Sequence, residues 1–228
     1  MPTVQPFVTV VRAGRLSYAA GLKLQQELAK QNVQQSSDFR NYLLLLEHDP
    51  VYTIGIRTKG YTAQDEDRLR KLGADFHRTD RGGLITFHGP GQLVAYPIIN
   101  LRQFKPSIRW YVTTLERTVI ETCRQMGIPN ASTTQDTGIW VGDRKICAIG
   151  VHGSRYVTTH GIGLNCSTDL KWFEHIVPCG IEGKGVTSLS EQLQRHISLS
   201  EATAVLLDSF SKTFECLVQE QSKARVQN

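Results

Sequence analysis

One cysteine stands where a thiol could do chemistry. In Ile176-Val-Pro-Cys-Gly-Ile-Glu-Gly-Lys-Gly-Val-Thr-Ser-Leu189, Pro178 fixes its own φ and removes a donor, while Gly180, Gly183 and Gly185 loosen the chain. Cys179 is therefore expected on a turn. A thiol becomes a useful nucleophile only when its pKa falls, which takes a neighbouring cation, a helix N-terminus or a base. The candidates are Lys145, Lys184, His88, His152, His160 and His175. Lys145 opens an otherwise apolar strand, Ile146-Cys-Ala-Ile149. A lysine facing a partly dry site exchanges protons with a thiol more readily than one in water. Pattern alone fits a solvent-facing lysine at a strand end better. Cys179 with such a partner would suit acyl transfer, in which a thiolate attacks, holds the acyl group and yields it to a second nucleophile.

Composition narrows what surrounds these groups. The 228 residues suffice for one sizeable domain, and 40% hydrophobic with 21% charged residues describes an ordinary globular chain. The longest apolar run, Tyr42-Leu-Leu-Leu-Leu46, is too short to cross a bilayer and reads as a buried strand. Five cysteines, an odd number without a CxxC pair or metal-like Cys/His spacing, read as free thiols in a reducing compartment, so neither a metal nor a cofactor is expected. A net charge of +5 favours an acidic partner, yet no basic run or basic–aromatic interleaving points to nucleic acid. Arg57, Lys59, Arg68, Arg70, Lys71, Arg78 and Arg81 are interspersed with acids, which suits either a solvated face or a docking patch. The N-terminus lacks a secretory h-region. Arg12, Arg15 and Lys23 precede the first acid, Glu27, faintly like a mitochondrial transit segment, although strand pattern starts too early for much to be cleaved.

The elements that must position these groups read in order. Strands are expected at 7–12, 41–48, 51–54 and 75–78, a helix capped by Ser17 to about Asn32, and a charged helix over 65–72 ended by Gly73. Two apolar strands follow between Asp80 and Leu101, joined by the turn His88-Gly-Pro-Gly91, with Pro97 favouring an edge or a strand end. Gly82 and Gly83 allow another backbone or a ligand to come close. Ile108 to Met126 is a core-packing helix, with Val112, Leu115, Val119 and Cys123 on its apolar stripe. Strands at 137–141, 145–151 and 156–165 follow, the last interrupted at Gly161 and Gly163 by a bulge or close approach. A short helix through Leu193, a final helix from Ser200 to Leu217 and a frayed tail over 219–228 close the chain. The hairpins imply one α+β domain across 1–228, a mixed, largely antiparallel sheet packed against helices, with no phosphate-cradling GxxxxGK[ST] or GxGxxG loop.

Four blocks resemble one family. Arg81-Gly-Gly-Leu-Ile-Thr-Phe-His-Gly-Pro-Gly-Gln-Leu-Val94, Gly138-Ile-Trp-Val141 with Arg144-Lys-Ile-Cys-Ala-Ile-Gly150, Thr159-His-Gly-Ile-Gly-Leu-Asn165, and Pro178-Cys-Gly180 with Val186-Thr-Ser-Leu189 are similar to octanoyltransferases, the lipoyl(octanoyl) transferases. The order matches from about Tyr42 to Leu193. Asn165-Cys-Ser-Thr-Asp-Leu170 and Trp172-Phe-Glu-His-Ile176 look most like animal mitochondrial members. Gly55-Ile-Arg57 departs from the pattern, where glycine followed directly by arginine is expected.

The resemblance implies the lipoate/biotin protein ligase fold with an apolar tunnel. It implies transfer of octanoyl from octanoyl-acyl carrier protein to a lysine of lipoyl domains, those of 2-oxoacid dehydrogenase complexes and the glycine cleavage H protein, in mitochondria or else a bacterial cytoplasm. Cys179 matches the acyl-thioester nucleophile and Lys145 the group that lowers its pKa. Arg81, Gly82, Gly83, Leu84, Ile85, Thr86, Phe87 and His88, with Ala148, Ile149, Gly150, Gly161, Ile162 and Gly163, match the acyl-site segments. Leu84, Ile85, Phe87 and Ile149 are expected to supply an apolar wall. The competing expectation is an ATP-dependent lipoate ligase of the same fold.

Overall fold

Every residue from Tyr42 to Leu46 is buried, and strand alternation divides them between two cores. Leu43 and Leu45 join a large cluster with Val119, Ile146 and Phe210, whereas Tyr42, Leu44 and Leu46 join Leu28, Val94 and Ile98 on the opposite face. The continuous apolar run is thus the signature of a strand covered on both sides.

A computed structural model describes residues 5–34, 40–58, 61–177 and 184–220. Its elements are β1 (Phe7–Leu16), α1 (Tyr18–Gln34), β2 (Asn41–His48), β3 (Val51–Ile54), α2 (Ala63–Arg70), β4 (Asp75–Arg78), β5 (Ile85–His88), β6 (Gln92–Ile98) and α3 (Ile108–Gln125). After these come β7 (Ala131–Ser132), β8 (Ile139–Val141), β9 (Arg144–Ser154), β10 (Val157–Asn165), β11 (Gly185–Val186), α4 (Leu189–Leu193), α5 (Leu199–Phe214) and β12 (Leu217–Glu220). The main sheet runs β12-β1-β2-β6-β10-β9-β8-β7, with β11 on β9. β1 lies parallel to β2 and β12, and β11 parallel to β9, while the other neighbours are antiparallel. α3 and α5 pack into the large cluster on one face and α1 into the smaller cluster on the other, so the expected α+β architecture holds.

Local chemistry sets the boundaries. Thr62 and Asp65 form a reciprocal capping box that starts α2 two residues before the expected Asp65. The Ser107 hydroxyl accepts from Trp110 N at 3.2 Å to start α3. Glu215, in the left-handed region at φ 52°, ends α5 at Phe214.

Several expectations are corrected. β3, β4 and β5 do not join the main sheet but form a second one, order β4-β3-β5, whose core of Tyr52, Ile54, Phe76, Ile85 and Phe87 is closed by α2 and by the 3-10 turn Leu170–His175. Pro97 lies on no sheet edge, because β6 sits between β2 and β10, but it stands next to the end of β6 at Ile98, the other position expected for it. The β6–β10 ladder stops at Ala95, so the missing N–H falls where pairing on that side has ended. The final helix does not reach Leu217. The chain instead re-enters the sheet as β12, and Gln219 and Glu220, expected frayed, pair with Thr9 and Val10.

Candidate active site

The two sheets meet around Arg81. This residue is 7% exposed, and its guanidinium donates to Thr53 O at 2.7 Å, Thr53 Oγ1 at 2.9 Å and Gly82 O at 2.9 Å. Gly82 N donates to Val151 O at 2.9 Å, tying the same turn to β9. A Cβ on Gly150 would come within 2.9 Å of Arg81 Cδ and 3.0 Å of Gly82 O. The close approach anticipated for the glycines is thus backbone against backbone.

This junction encloses a cavity of about 330 Å³. Twelve of the expected acyl-site residues line it: Arg81, Gly82, Gly83, Leu84, Thr86, His88, Ala148, Ile149, Gly150, Gly161, Ile162 and Gly163. Ile85 and Phe87 do not. Alternation along β5 turns both into the second sheet's core, where Phe87 stacks on Trp172 with centroids 5.0 Å apart. Of the expected apolar wall, Leu84 and Ile149 remain. Tyr18, Arg57, Tyr96, Val112, Gln135, Asp136, Thr137, Val151 and His160 also line the cavity. Only His160 and Arg57 among these carried a prior functional expectation, and Tyr18, a helix's first residue, offers no sequence signal for facing a cavity.

Burial gives the cavity a direction. Arg57, Gln135 and Thr137 are exposed and form the mouth, while Tyr18, His88, Tyr96 and His160 are buried and form the closed end. At the closed end, His88 Nδ1 meets Gln92 Oε1 at 2.7 Å, and Gln92 Nε2 donates onward to Asn165 Oδ1 at 2.9 Å. Tyr96 OH meets His48 Nε2 at 3.0 Å, and His160 Nε2 meets Asp80 Oδ1 at 3.0 Å. Burial pushes the His48 imidazole down to about 4 and His88 to about 3. It lowers His160 as well, against the opposing hydrogen bond from Asp80. The His48 and His88 rings are therefore neutral in the fold. Burial also pushes the Tyr18 phenol up to about 12.

Near the mouth the chemistry changes. Lys145 is 4% exposed, so its side chain does not stand in solvent as the strand-end pattern favoured. It is held between two strands, pairing with Trp140 of β8 and with Val186 of β11. Its ammonium lies 4.7 Å from the Trp140 ring centroid, and the Lys184 ammonium 4.9 Å from the same ring. Lys184 Nζ also pairs with Asp136 Oδ2 at 3.2 Å, and Asp136 is one of the lining residues. Gly138, at φ +123°, leaves room for the lysine stem, since a Cβ there would lie 3.1 Å from Lys145 Cε. Trp140 was read only as part of a motif, and its pairing with Lys145 across the hairpin was the available signal.

Cys179 falls between Val177 and Lys184, outside the described residues. Both flanks of that segment are placed: Val177 N donates to Tyr61 OH at 3.0 Å, and Thr187 N donates to Lys145 O at 2.9 Å. The four described cysteines are buried and unsuited to nucleophilic attack. Burial raises the thiols of Cys123, Cys166 and Cys216 to about 12, and that of Cys147 well above its ordinary value. Cys147 lies in the large core with its Sγ 3.5 Å from Ala148 O. His152 contacts Asp80 and His175 sits beyond the second sheet, where its carbonyl accepts from Arg68.

Comparison with known proteins adds to this picture. Residues 17–211 match the lipoyl protein ligase A/B catalytic domain family. A Drosophila melanogaster protein carrying the name lipoyltransferase 2, mitochondrial, is 74% identical over 225 residues, covering 98% of this chain and 96% of that one. The mitochondrial octanoyl-[acyl-carrier-protein]:protein N-octanoyltransferase of Danio rerio is 58% identical over 216 residues, covering 95% and 96%. Among solved structures, a bipartite lipoate protein ligase of Thermoplasma acidophilum superposes with a TM-score of 0.71 at 19% identity, covering 97% of this chain and 88% of that one, and shares the fold.

Proposed function

Because this chain belongs to the lipoyl protein ligase A/B catalytic family, as a mitochondrial octanoyltransferase, and so is an acyltransferase of protein lipoylation, we propose that it works through a Cys179 thioester assisted by Lys145. The donor in this reading is an octanoyl-acyl carrier protein, the substrate that the Danio rerio relative's name states. The acceptor is a lysine of a lipoyl domain, including those of 2-oxoacid dehydrogenase complexes and the glycine cleavage H protein.

The supporting observation is the clamp on Lys145. β11, which begins two residues beyond the Cys179 segment, pairs directly with Lys145, so the chain leaves that segment beside a buried ammonium at the cavity mouth. Lys184 follows Cys179 by five positions in the sequence, and an extended chain of that length spans at most about 17 Å. The Nζ groups of Lys145 and Lys184 share one indole, and the ammonium formed when the neutral Lys145 amine takes up the thiol's proton favours a thiolate beside it.

In the proposed sequence, Lys145 Nζ takes the Cys179 proton and the thiolate attacks the donor carbonyl. The carbon–sulfur bond to the carrier then breaks, and the departing thiol receives the proton from Nζ. The acyl chain meanwhile occupies the cavity, where each buried methylene contributes about 0.8 kcal/mol. The acceptor amine next attacks the enzyme thioester and gives its surplus proton to Nζ. The bond to Sγ breaks, and Cys179 regains a proton. No step consumes ATP.

Intact-mass measurement after incubation with octanoyl-carrier, without ATP, tests this. The expected result is one octanoyl adduct on the wild type and none on Cys179→Ser. An adduct retained by Cys179→Ser, or transfer only when ATP is supplied, overturns it.

A further inference from the structure

Basic residues on this protein fall into two groups. In the first, Arg68 pairs with Asp65, Arg70 and Arg78 pair with Glu66, and Arg81 is buried in the sheet junction. Four residues of the basic stretch expected there as a docking patch are thus spent on local contacts, and Arg57 lines the cavity mouth. Arg12, Arg15, Arg124, Arg144 and Arg195 are likewise each within 3.0 Å of a carboxylate.

The second group differs. Arg102, Lys105, Arg109 and Arg155 are exposed and form no ion pair among the described residues. Neither Leu101 to Leu115 nor Arg144 to Thr168 contains an acidic residue. Both stretches meet in space, because Leu101 N donates to Tyr156 O at 2.8 Å and Arg102 Cζ lies 4.3 Å over the Tyr156 ring. Ile108 Cδ1 would stand 3.3 Å from a Cβ built on Gly153. Ile108 and Tyr156 remain 47% and 44% exposed, so the cations surround an apolar centre.

The β9–β10 turn holds Arg155 and Tyr156 at φ 50° and 69°. Turns of this kind ordinarily take asparagine or glycine. Two large side chains are presented here against that preference, a strain often kept where a surface is used. The patch adjoins the cavity, since Val112 lies one helical turn from Ile108 and lines it, and Val151 lines it four residues before Arg155, about 13 Å along a strand.

We propose that Arg102, Lys105, Arg109 and Arg155, around Ile108 and Tyr156, dock the acyl donor, an acidic carrier domain whose thioester hangs from a phosphate-linked arm. The proposal rests on the octanoyl-transfer reading above. Charge complementarity carries it: an unneutralised cationic field at the cavity rim steers an acidic domain. The choice of donor over acceptor follows from side-chain chemistry. Three of the four cations are arginines, whose planar forks bind phosphate in bidentate fashion, and an acceptor presenting a lysine offers no phosphate.

The test uses the full chain with two octanoyl donors, the carrier protein and a small uncharged octanoyl thioester. In the triple variant Arg102→Glu, Arg109→Glu, Arg155→Glu, KM for the carrier donor should rise roughly tenfold or more at low salt, with kcat retained. Near 1 M salt, where the screening length is about 3 Å, the difference should shrink. KM for the small thioester should not move, and Arg155→Lys, which keeps the charge and loses the fork, should raise the carrier KM by less than the triple variant does. Lys23→Glu with Lys30→Glu, a reversal on α1, serves as the control and should leave the carrier KM near wild type. The proposal is overturned if both donors lose equally, if the control loses as much, or if KM rises for the acceptor instead. A wild type that moves octanoyl from neither donor removes the transfer reading itself, and the docking assignment with it.

Discussion

The two ends of the cavity are both built from buried polar side chains, yet they handle charge in opposite ways. At the closed end, His48 bonds to Tyr96, His88 to Gln92 and His160 to Asp80, and burial holds the His48 and His88 rings neutral. Beside the mouth, Lys145 and Lys184 bring two Nζ groups to one indole, and Lys184 pairs with Asp136. Burying a charge is costly unless it is compensated, and neutral hydrogen-bonded groups avoid that cost. The difference is one of balance: deep in the cavity the buried Arg81 guanidinium is spread over carbonyl and hydroxyl acceptors beside neutral His48 and His88 rings, whereas near the mouth two lysine Nζ groups share one indole.

Replacing Lys145 should separate the ends most sharply. Lys145→Met is expected to slow octanoyl transfer by roughly 10²–10⁴-fold, the range for a lost proton-transfer group, while thermal unfolding shows a folded protein. Near wild-type turnover in that variant would remove the mouth's special status.

Acid should attack the other end. His48 and His88 are held neutral in the fold, whereas unfolded imidazoles titrate near 6.5. Stability from this source is complete above about pH 6.5 and falls as pH drops, because only the unfolded chain takes up protons there. The window runs from 6.5 down to about 4 for His48 and about 3 for His88. Urea titrations across it should show a loss of about 1.4 kcal/mol per pH unit for each ring, a slope that His48→Gln reduces by one proton. A flat profile from pH 6.5 to 4.5 would mean that these rings accept protons without penalty.

Smaller effects test the cavity wall. A Cβ on Gly161 would run into Ala95 O and lie 2.8 Å from Pro97 Cδ, both on a central strand. On Gly163 it would meet Gln92 Oε1 at 2.8 Å and His88 Nδ1 at 3.3 Å, which are side-chain atoms able to shift. Gly161→Ala should therefore cost about 1–3 kcal/mol, and Gly163→Ala less, by chemical denaturation. Tyr18→Phe should change stability least, within about 0.5 kcal/mol, because the Tyr18 hydroxyl has no hydrogen-bond partner among the described residues.

How far these contrasts could be read from sequence depends on the range of the interactions. The runs 41–48 and 51–54 are legible because alternation and burial on both faces leave a local trace. The helix from Ile108 is legible from its apolar stripe and its cap. The division into two sheets is not, since β3 and β5 are as apolar as β2 and only their partners distinguish them. Within the acyl-site blocks, motif likeness takes in Ile85 and Phe87 with their neighbours, and strand alternation then separates the two from the cavity. Motif likeness also singles out Lys145, but its burial depends on Trp140 and Val186 from two other strands. Pro178 and Gly180 lead to the expectation of a turn at Cys179, which lies outside the described residues.

The pairing of β12 with β1 bears on how a molecule of this kind can be made. β1 emerges from the ribosome before every other described strand, yet one of its two flanking strands is the last described segment, and Arg12 meets Glu220 across a sequence separation of 208 residues. Until Leu217 to Glu220 arrive, one row of β1 amides and carbonyls has no neighbour and can recruit a stranger's strand. Synthesis must pass Glu220 before that edge is sealed, so a nascent chain that stops short of it is the form most in need of a chaperone.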